Sequence, residues 1–298
     1  MSAPAAVHTS VDRRPVRVIV APYDSGYRGR RMGRGPLALV EAGLVERLRD
    51  HGHAVTLEEV EPPVDFPAEI ASAFALCRAI ATAVRQAVRL GELPVLLSGN
   101  CIGTVGVVAG LHCPDLALVW ADAHGDLHTP ETTTSGFLDG MALATAVGLG
   151  WTHMAASVPG FQPVSEARTV LAAAHRLDTA ERELLRRSPI RCLSVEDVGD
   201  EARLAEELDG ALHGAGGLHV HVDLDALDSG IARANGYAEP DGLRPERLDR
   251  LVHAAAERAP LTSVTLASYD PEYDTDGAAG RIALALLEQV VRVPLAAA

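Results

Sequence analysis

The sequence predicts an α/β fold: one domain built on an eight-stranded parallel sheet with helices on both faces. Three observations lead there. Short apolar, β-branched runs alternate with longer segments whose apolar residues recur every three or four positions. The connections are long enough to be crossovers, which parallel pairing requires. No linker or internal repeat interrupts the alternation across the 298 residues.

The first strand is Val16-Arg-Val-Ile-Val-Ala21, and residues 53–59 supply the second. Between them, Leu37, Val40, Leu44 and Leu48 mark the apolar face of a helix over 36–51. A helix over 66–90 leads to a third strand, Pro94-Val-Leu-Leu-Ser98, and Leu116-Ala-Leu-Val-Trp-Ala121 is the fourth. Next comes an irregular loop from 122 to 139 holding Pro130, threonines at 132–134, Ser135 and Gly136, then a helix over 139–149. Strands at 168–172, 190–194, 218–223 and 262–267 complete the sheet, with helices over 179–188, 201–213, 244–258 and 280–291. Residues 1–15, small, polar and proline-containing, read as a disordered tail before a domain over 16–298.

Composition removes several function classes. With 48% hydrophobic residues the chain can bury a large core, and 26 basic against 40 acidic residues, a formal −14, disfavour nucleic-acid and anionic membrane partners. Every basic residue is Arg, so Schiff-base lysines and Walker-type phosphate lysines are excluded. Cys77, Cys101, Cys113 and Cys192 show no zinc-knuckle spacing, and a chain of this size does not need disulfides, so a reducing cytoplasm is expected. The sequence has neither a run of ~18 apolar residues nor a signal-peptide pattern. A small-molecule substrate is the expected partner.

Two segments carry chemistry. Trp120-Ala-Asp-Ala-His-Gly-Asp126 and His221-Val-Asp-Leu-Asp-Ala-Leu-Asp228 each put carboxylates at alternating positions after a strand. Residues at i, i+2 and i+4 share a face of an extended chain. Four carboxylates and an imidazole aimed at one point repel one another unless cations lie between them, so a metal site for two ions is the economical reading. Ligands of open α/β sheets bind beyond the carboxyl ends of the strands, and Cys101, Asp122, His124, Asp126, Asp223, Asp225 and Ser268 all fall there.

With those residues in place, the chain resembles the ureohydrolase family of arginases and agmatinases, including Nω-hydroxyarginine amidinohydrolases. Asp122-Ala-His124-Gly-Asp126, Asp223-Leu-Asp225-Ala-Leu-Asp228, the loop Thr132-Thr-Thr-Ser-Gly136 and the early turn Gly33-Arg-Gly-Pro36 carry the resemblance. It implies a three-layer α/β/α domain with two manganese ions bridged by a hydroxide that attacks a guanidinium or amidine carbon. By motif position, Asp122 and Asp223 bridge the ions, Asp126 completes one site, and His124 and Asp225 the other. Asp126, His128 and Asp139 are the residues expected to take part in catalysis. His128, Thr133, Ser135, Phe137, Asp178 and Ser268 are those expected to meet substrate. A homo-oligomer, trimer or hexamer, follows from the same resemblance.

Four departures make the sequence particular. Where the family has Gly-Gly-Asp-His, with histidine as a ligand, the chain has Ser98-Gly-Asn100-Cys101. A thiolate there shifts preference toward Zn, Fe or Co, and a buried thiol beside a weakened site is the other reading. Family Ser-Gly-Asn-x-His-Gly becomes Ser135-Gly-Phe137-Leu-Asp139-Gly140. Asp139 reads either as a proton donor or as a helix N-cap, and Asp178 either as a head-group contact or as the N-cap of the helix starting at Thr179. The family's Glu-x-Asn-Pro, whose glutamate grips the guanidinium, is Ser268-Tyr-Asp270-Pro271. Serine supplies no charge, so ordinary arginine or agmatine is not the expected substrate. The expectation is a C–N hydrolase of a modified, arginine-type guanidino or amidino compound. Its alternatives are a single-metal, deacetylase-like amide hydrolase and a non-hydrolytic homologue.

Overall fold

Short β-rich runs become strands, and eight of them pair in parallel, the central ones buried and the edge strands Val55–Glu59 and Arg191–Leu193 partly exposed. The computed structural model describes residues 13–62 and 68–293. In chain order the strands are β1 (Val16–Ala21), β2 (Tyr23–Asp24), β3 (Tyr27–Arg28), β4 (Val55–Glu59), β5 (Leu93–Ser98), β6 (Leu116–Ala121), β7 (Thr169–Ala172), β8 (Arg191–Leu193), β9 (Gly217–Asp223) and β10 (Leu261–Ala267). The main sheet runs β4-β1-β5-β10-β9-β6-β7-β8, and β2-β3 is a small antiparallel hairpin. β1, β5, β6 and β9 are buried along their whole length, as a sheet covered on both faces demands.

One face packs Val16, Val18, Val119, Val220 and Val264 against helices Gly35–Glu41, Glu201–Leu212, Pro245–Ala256 and Ala278–Val290. The other packs Leu118, Trp120 and Ile19 against helices Glu69–Arg89 and Gly103–Leu111. This is the predicted three-layer, single-domain α/β/α arrangement. Among the described residues, no helix is long and apolar enough to cross a membrane.

All eight expected strands form, each end within two residues of its predicted position. The differences lie in the helices. The helix expected over 36–51 breaks into Gly35–Glu41 and Leu44–Asp50 at Gly43, whose φ of +88° is left-handed. The segment expected as a helix over 139–149 is a 3-10 turn, Asp139–Met141, followed by one short helix, Ala142–Ala146. Helix Gly103–Leu111 has no counterpart among the predicted elements, because it is buried nearly all round and lacks an amphipathic stripe. Gly106 explains its composition: a Cβ there would lie 2.6 Å from the Cys77 carbonyl oxygen, so glycine lets the two helices approach closely. Helices Thr152–Ala156 and Val195–Gly199 and the β2-β3 hairpin are likewise additions to the predicted set. Most of the expected tail over 1–15, together with residues 66–67 and 294–298 of the expected elements, lies outside the described residues.

Candidate metal centre and substrate cavity

Strand order assembles the site. β5, β10, β9 and β6 are neighbours, so their carboxyl ends, far apart in the chain, open at one place. Trp120 pairs with His221 and Ala121 with Val222 across β6 and β9, which sets Asp122 beside Asp223. Ala267 is in register with both Ser98 and Asp223, which brings Ser268 and Cys101 to the same spot. Asp126 and Ser268 have φ of +50° and +62°, conformations that are uncommon outside glycine and here turn the chain sharply beyond each strand.

The acidic groups are buried and knit together. Asp122, Asp126, Asp223 and Asp225 are each no more than 6% exposed. Asp122 Oδ1 accepts from the His124 backbone N–H at 2.7 Å, and Asp223 Oδ1 from that of Asp225 at 2.8 Å. His124 Nδ1 lies 3.4 Å from both Asp122 Oδ1 and Asp225 Oδ2. Cys101 Sγ donates to Asp223 Oδ2 at 3.0 Å and sits 3.3 Å from Ser268 Oγ. Two groups of donors within 4.8 Å of one another result: Cys101, Asp122 and Asp223, and Asp122, His124 and Asp225.

The electrostatics show what this crowding costs without a cation. Burial, then the charge of Asp225, raises Asp122 to about 6. Burial, with Asp122 as the largest charge contribution, drives Asp126 well above the carboxylate range, and burial with Asp225 does the same to Asp223. His124 is desolvated, yet its bonds to Asp122 and Asp225 lift it to about 12. For Asp225, burial opposes ionisation but the His124 hydrogen bond prevails and lowers it. Burial and Asp223 hold the Cys101 thiol well above its usual value. Asp126 Oδ2 is buried without a hydrogen-bond partner among the described residues. Four carboxylates, an imidazole and one thiol, with a carboxylate oxygen left over, are a donor set that divalent cations fit.

These groups lie on the floor of a cavity of about 240 Å³. Asp139 lines it, and its carboxylate accepts from Asn100 Nδ2 at 2.5 Å and from the Ile102 N–H at 3.3 Å. It is the first residue of its 3-10 turn and its side chain caps nothing, so the helix-cap reading falls. Burial pushes it up to about 8, although both hydrogen bonds favour the ionised form. Asp178 does cap: its Oδ1 accepts from the Glu181 N–H at 3.0 Å, and Glu181 returns a bond to the Asp178 N–H. Its other oxygen lies 3.3 Å from His128 Nε2, so capping and cavity lining coexist. Phe137 and Ser268 also line the cavity. Thr133 and Ser135 do not: their hydroxyl oxygens accept from the N–H groups of Gly136 and Phe137 within the loop.

Several contributors escape sequence reasoning. Trp120 Nε1 donates to Asp122 Oδ2 at 3.0 Å, and the indole stacks on His221 with centroids 3.6 Å apart, so a buried ring pair fixes this carboxylate. Asn235 Nδ2 reaches Asp225 Oδ2 at 3.4 Å and the Ser268 carbonyl at 2.8 Å. Arg176, Tyr237 and Met32 complete the walls. Asn235-Gly236 signals only a turn, and the others have no local pattern at all. His219 and His221 are fully buried within the sheet, and all four cysteines are free.

Comparison with known proteins gives a consistent picture. The model of the arginase family matches residues 14–292. The chain is 27% identical over 289 residues to an arginase of Bacillus subtilis (strain 168), covering 93% of this chain and 97% of the relative. It is 30% identical over 246 residues to the N(omega)-hydroxy-L-arginine amidinohydrolase of Streptomyces lavendulae, covering 82% and 85%. The solved arginase of Bacillus caldovelox superposes with a TM-score of 0.84 at 26% identity, covering 95% of this chain and all of that one.

Proposed function

This chain belongs to the arginase family and is a ureohydrolase-type, metal-dependent hydrolase of guanidino compounds, and from that premise we propose that its substrate is a modified, arginine-type guanidine rather than free arginine. The observation that carries the hydrolase reading is the convergence of Asp122, His124, Asp126, Asp223 and Asp225 on one cavity beyond adjacent strand ends, the four carboxylates buried. We assign those five residues and Cys101 as ligands of a binuclear divalent centre. The oxygen and imidazole donors suit Mn(II), and Cys101 draws its half toward Zn, Fe or Co. When bound, the cations supply Lewis acidity and a water acidic enough to act as nucleophile near neutral pH.

The chain's own residues do the rest. Trp120 holds Asp122 in place, and Asn235 ties Asp225 to the end of β10. Asp139, kept protonated at neutral pH by burial, donates a proton to the departing nitrogen, so the amine leaves neutral. His128, oriented by Asp178, stands at the wall as a hydrogen-bonding group for substrate. Ser268 contributes no charge where a guanidinium is otherwise gripped, which disfavours unmodified arginine. The expected trimer or hexamer belongs to the same proposal. The single-metal amide hydrolase is not favoured, because both donor groups are present and share Asp122.

Metal analysis together with a guanidine panel tests this. About two divalent ions per chain and release of urea, or a substituted urea, from at least one substituted guanidine in preference to L-arginine are expected. A chain that binds no metal, or one that releases nothing from any guanidine, sinks the reading.

A further inference from the structure

The cavity has an apolar wall that the hydrolytic chemistry does not use. Phe137 and Tyr237 line it with ring centroids 5.7 Å apart and planes 26° from parallel, and Met32 lies on the same cavity. Both rings ride on segments that also serve the reaction centre. Phe137 is two residues ahead of Asp139. Tyr237 follows Asn235 by two, and its backbone N–H donates to Asn235 Oδ1 at 2.8 Å while that amide reaches Asp225. A guanidinium bound on the floor therefore has its tail within reach of the two rings.

The polar walls are already engaged. Arg176 pairs with Glu239 at 2.5 Å, and Asp178 is divided between its helix cap and His128. An amino-acid head group has to compete with Glu239 for Arg176, and with the helix N–H and His128 for Asp178. The aromatic pair offers the opposite situation: Tyr237 is 46% exposed and Phe137 half-buried, so ring surface remains in water until a ligand covers it.

We propose that this cavity selects guanidines whose tail carries an aromatic or comparably flat apolar group, seated against Phe137 and Tyr237. The inference rests on the reading of the protein as a metal-dependent guanidine hydrolase and names the tail that the cavity takes, an apolar one in place of an amino-acid head group. Each stacked ring is worth about two- to tenfold in binding the favoured tail.

The test compares phenethylguanidine, n-butylguanidine and L-arginine as substrates of the metal-loaded protein, reading kcat/KM from urea and amine release. The ratio of phenethylguanidine to n-butylguanidine is expected near tenfold or above. Tyr237→Ala and Phe137→Leu are each expected to cut that ratio about three- to tenfold, with unchanged circular dichroism and metal content. A ratio near one, or one that neither substitution moves, overturns the inference and leaves the hydrolase reading standing. L-arginine outperforming both alkyl guanidines overturns it equally. If a wider guanidine panel also yields no urea or amine, both readings fall together.

Discussion

Asp139→Asn removes the proposed proton donor while keeping its shape and its ability to accept from the Ile102 N–H. In the folded protein the carboxyl is raised from 3.8 to about 8 by burial. A shift of about four units corresponds to roughly 6 kcal/mol in favour of the neutral form. At pH 7 the group is then about nine-tenths protonated and at pH 9 about one-tenth, so kcat should fall roughly tenfold over that interval. Loss of the donor should lower kcat by about 10² to 10⁴ and flatten this alkaline limb. The same shift affects stability with a definite sign. Because the folded pKa lies above the unfolded one, Asp139 contributes stability that is fully present below about pH 4 and lost as pH rises through about 8. The D139N variant should therefore lose less Tm than wild type between pH 5 and 9. Kinetics from pH 6 to 10 and thermal melts across the same range check both arms. A variant within threefold of wild-type kcat that retains the alkaline limb would refute the proton-donor role, and a pH-independent Tm difference would refute the burial argument.

Two further substitutions probe the ligand set and the frame around it. Cys101→Ser is expected to weaken zinc binding about ten- to hundredfold more than manganese binding, because the soft donor is lost while Asp223 keeps a hydrogen-bonding neighbour. Titration calorimetry with each ion measures this, and equal losses would remove Cys101 from the ligands. Gly99→Ala places a Cβ 2.2 Å from the Tyr23 carbonyl oxygen, where the hairpin crosses the end of β5. Backbone must move, so a loss of about 3 kcal/mol or more is expected in denaturant melts, and a change under about 1 kcal/mol would show the crossing to be loose.

Most of the scaffold is legible in the sequence because its signals are local. A strand buried on both faces needs a largely apolar run: Leu116–Ala121 is unbroken, and Val16–Ala21 and Gly217–Asp223 keep enough Val, Ile and Leu around Arg17, His219 and His221 to be read the same way. Helix Gly103–Leu111 shows the limit of the same rule: buried nearly all round, it presents no period to detect. At the site, Asp122, His124 and Asp126 and then Asp223 and Asp225 stand out as alternating polar groups just after apolar strands, but an extended chain does not gather them: Asp126 has a left-handed φ of +50° and Asp225 lies in a 3-10 turn, so the turns beyond the strands do. Asn235, Tyr237 and Arg176 do not stand out, because nothing in their own neighbourhoods distinguishes them from turn and surface residues.

The sequence by itself determined the alternation of strands and helices, the acidic motifs, and the substitutions at 101, 137, 139 and 268 that set this chain apart. Only the tertiary structure decided how those substitutions act. Asp139 became a buried acid rather than a helix cap when Asn100 and Ile102, from the end of another strand, closed on it. Phe137 became half of an aromatic wall only when Tyr237, a hundred residues later, was brought beside it. The physical reason is common to both. A side chain's identity fixes what it can donate, accept or cover, but its protonation and its partners depend on what removes it from water, and that is set by strand order across the sheet.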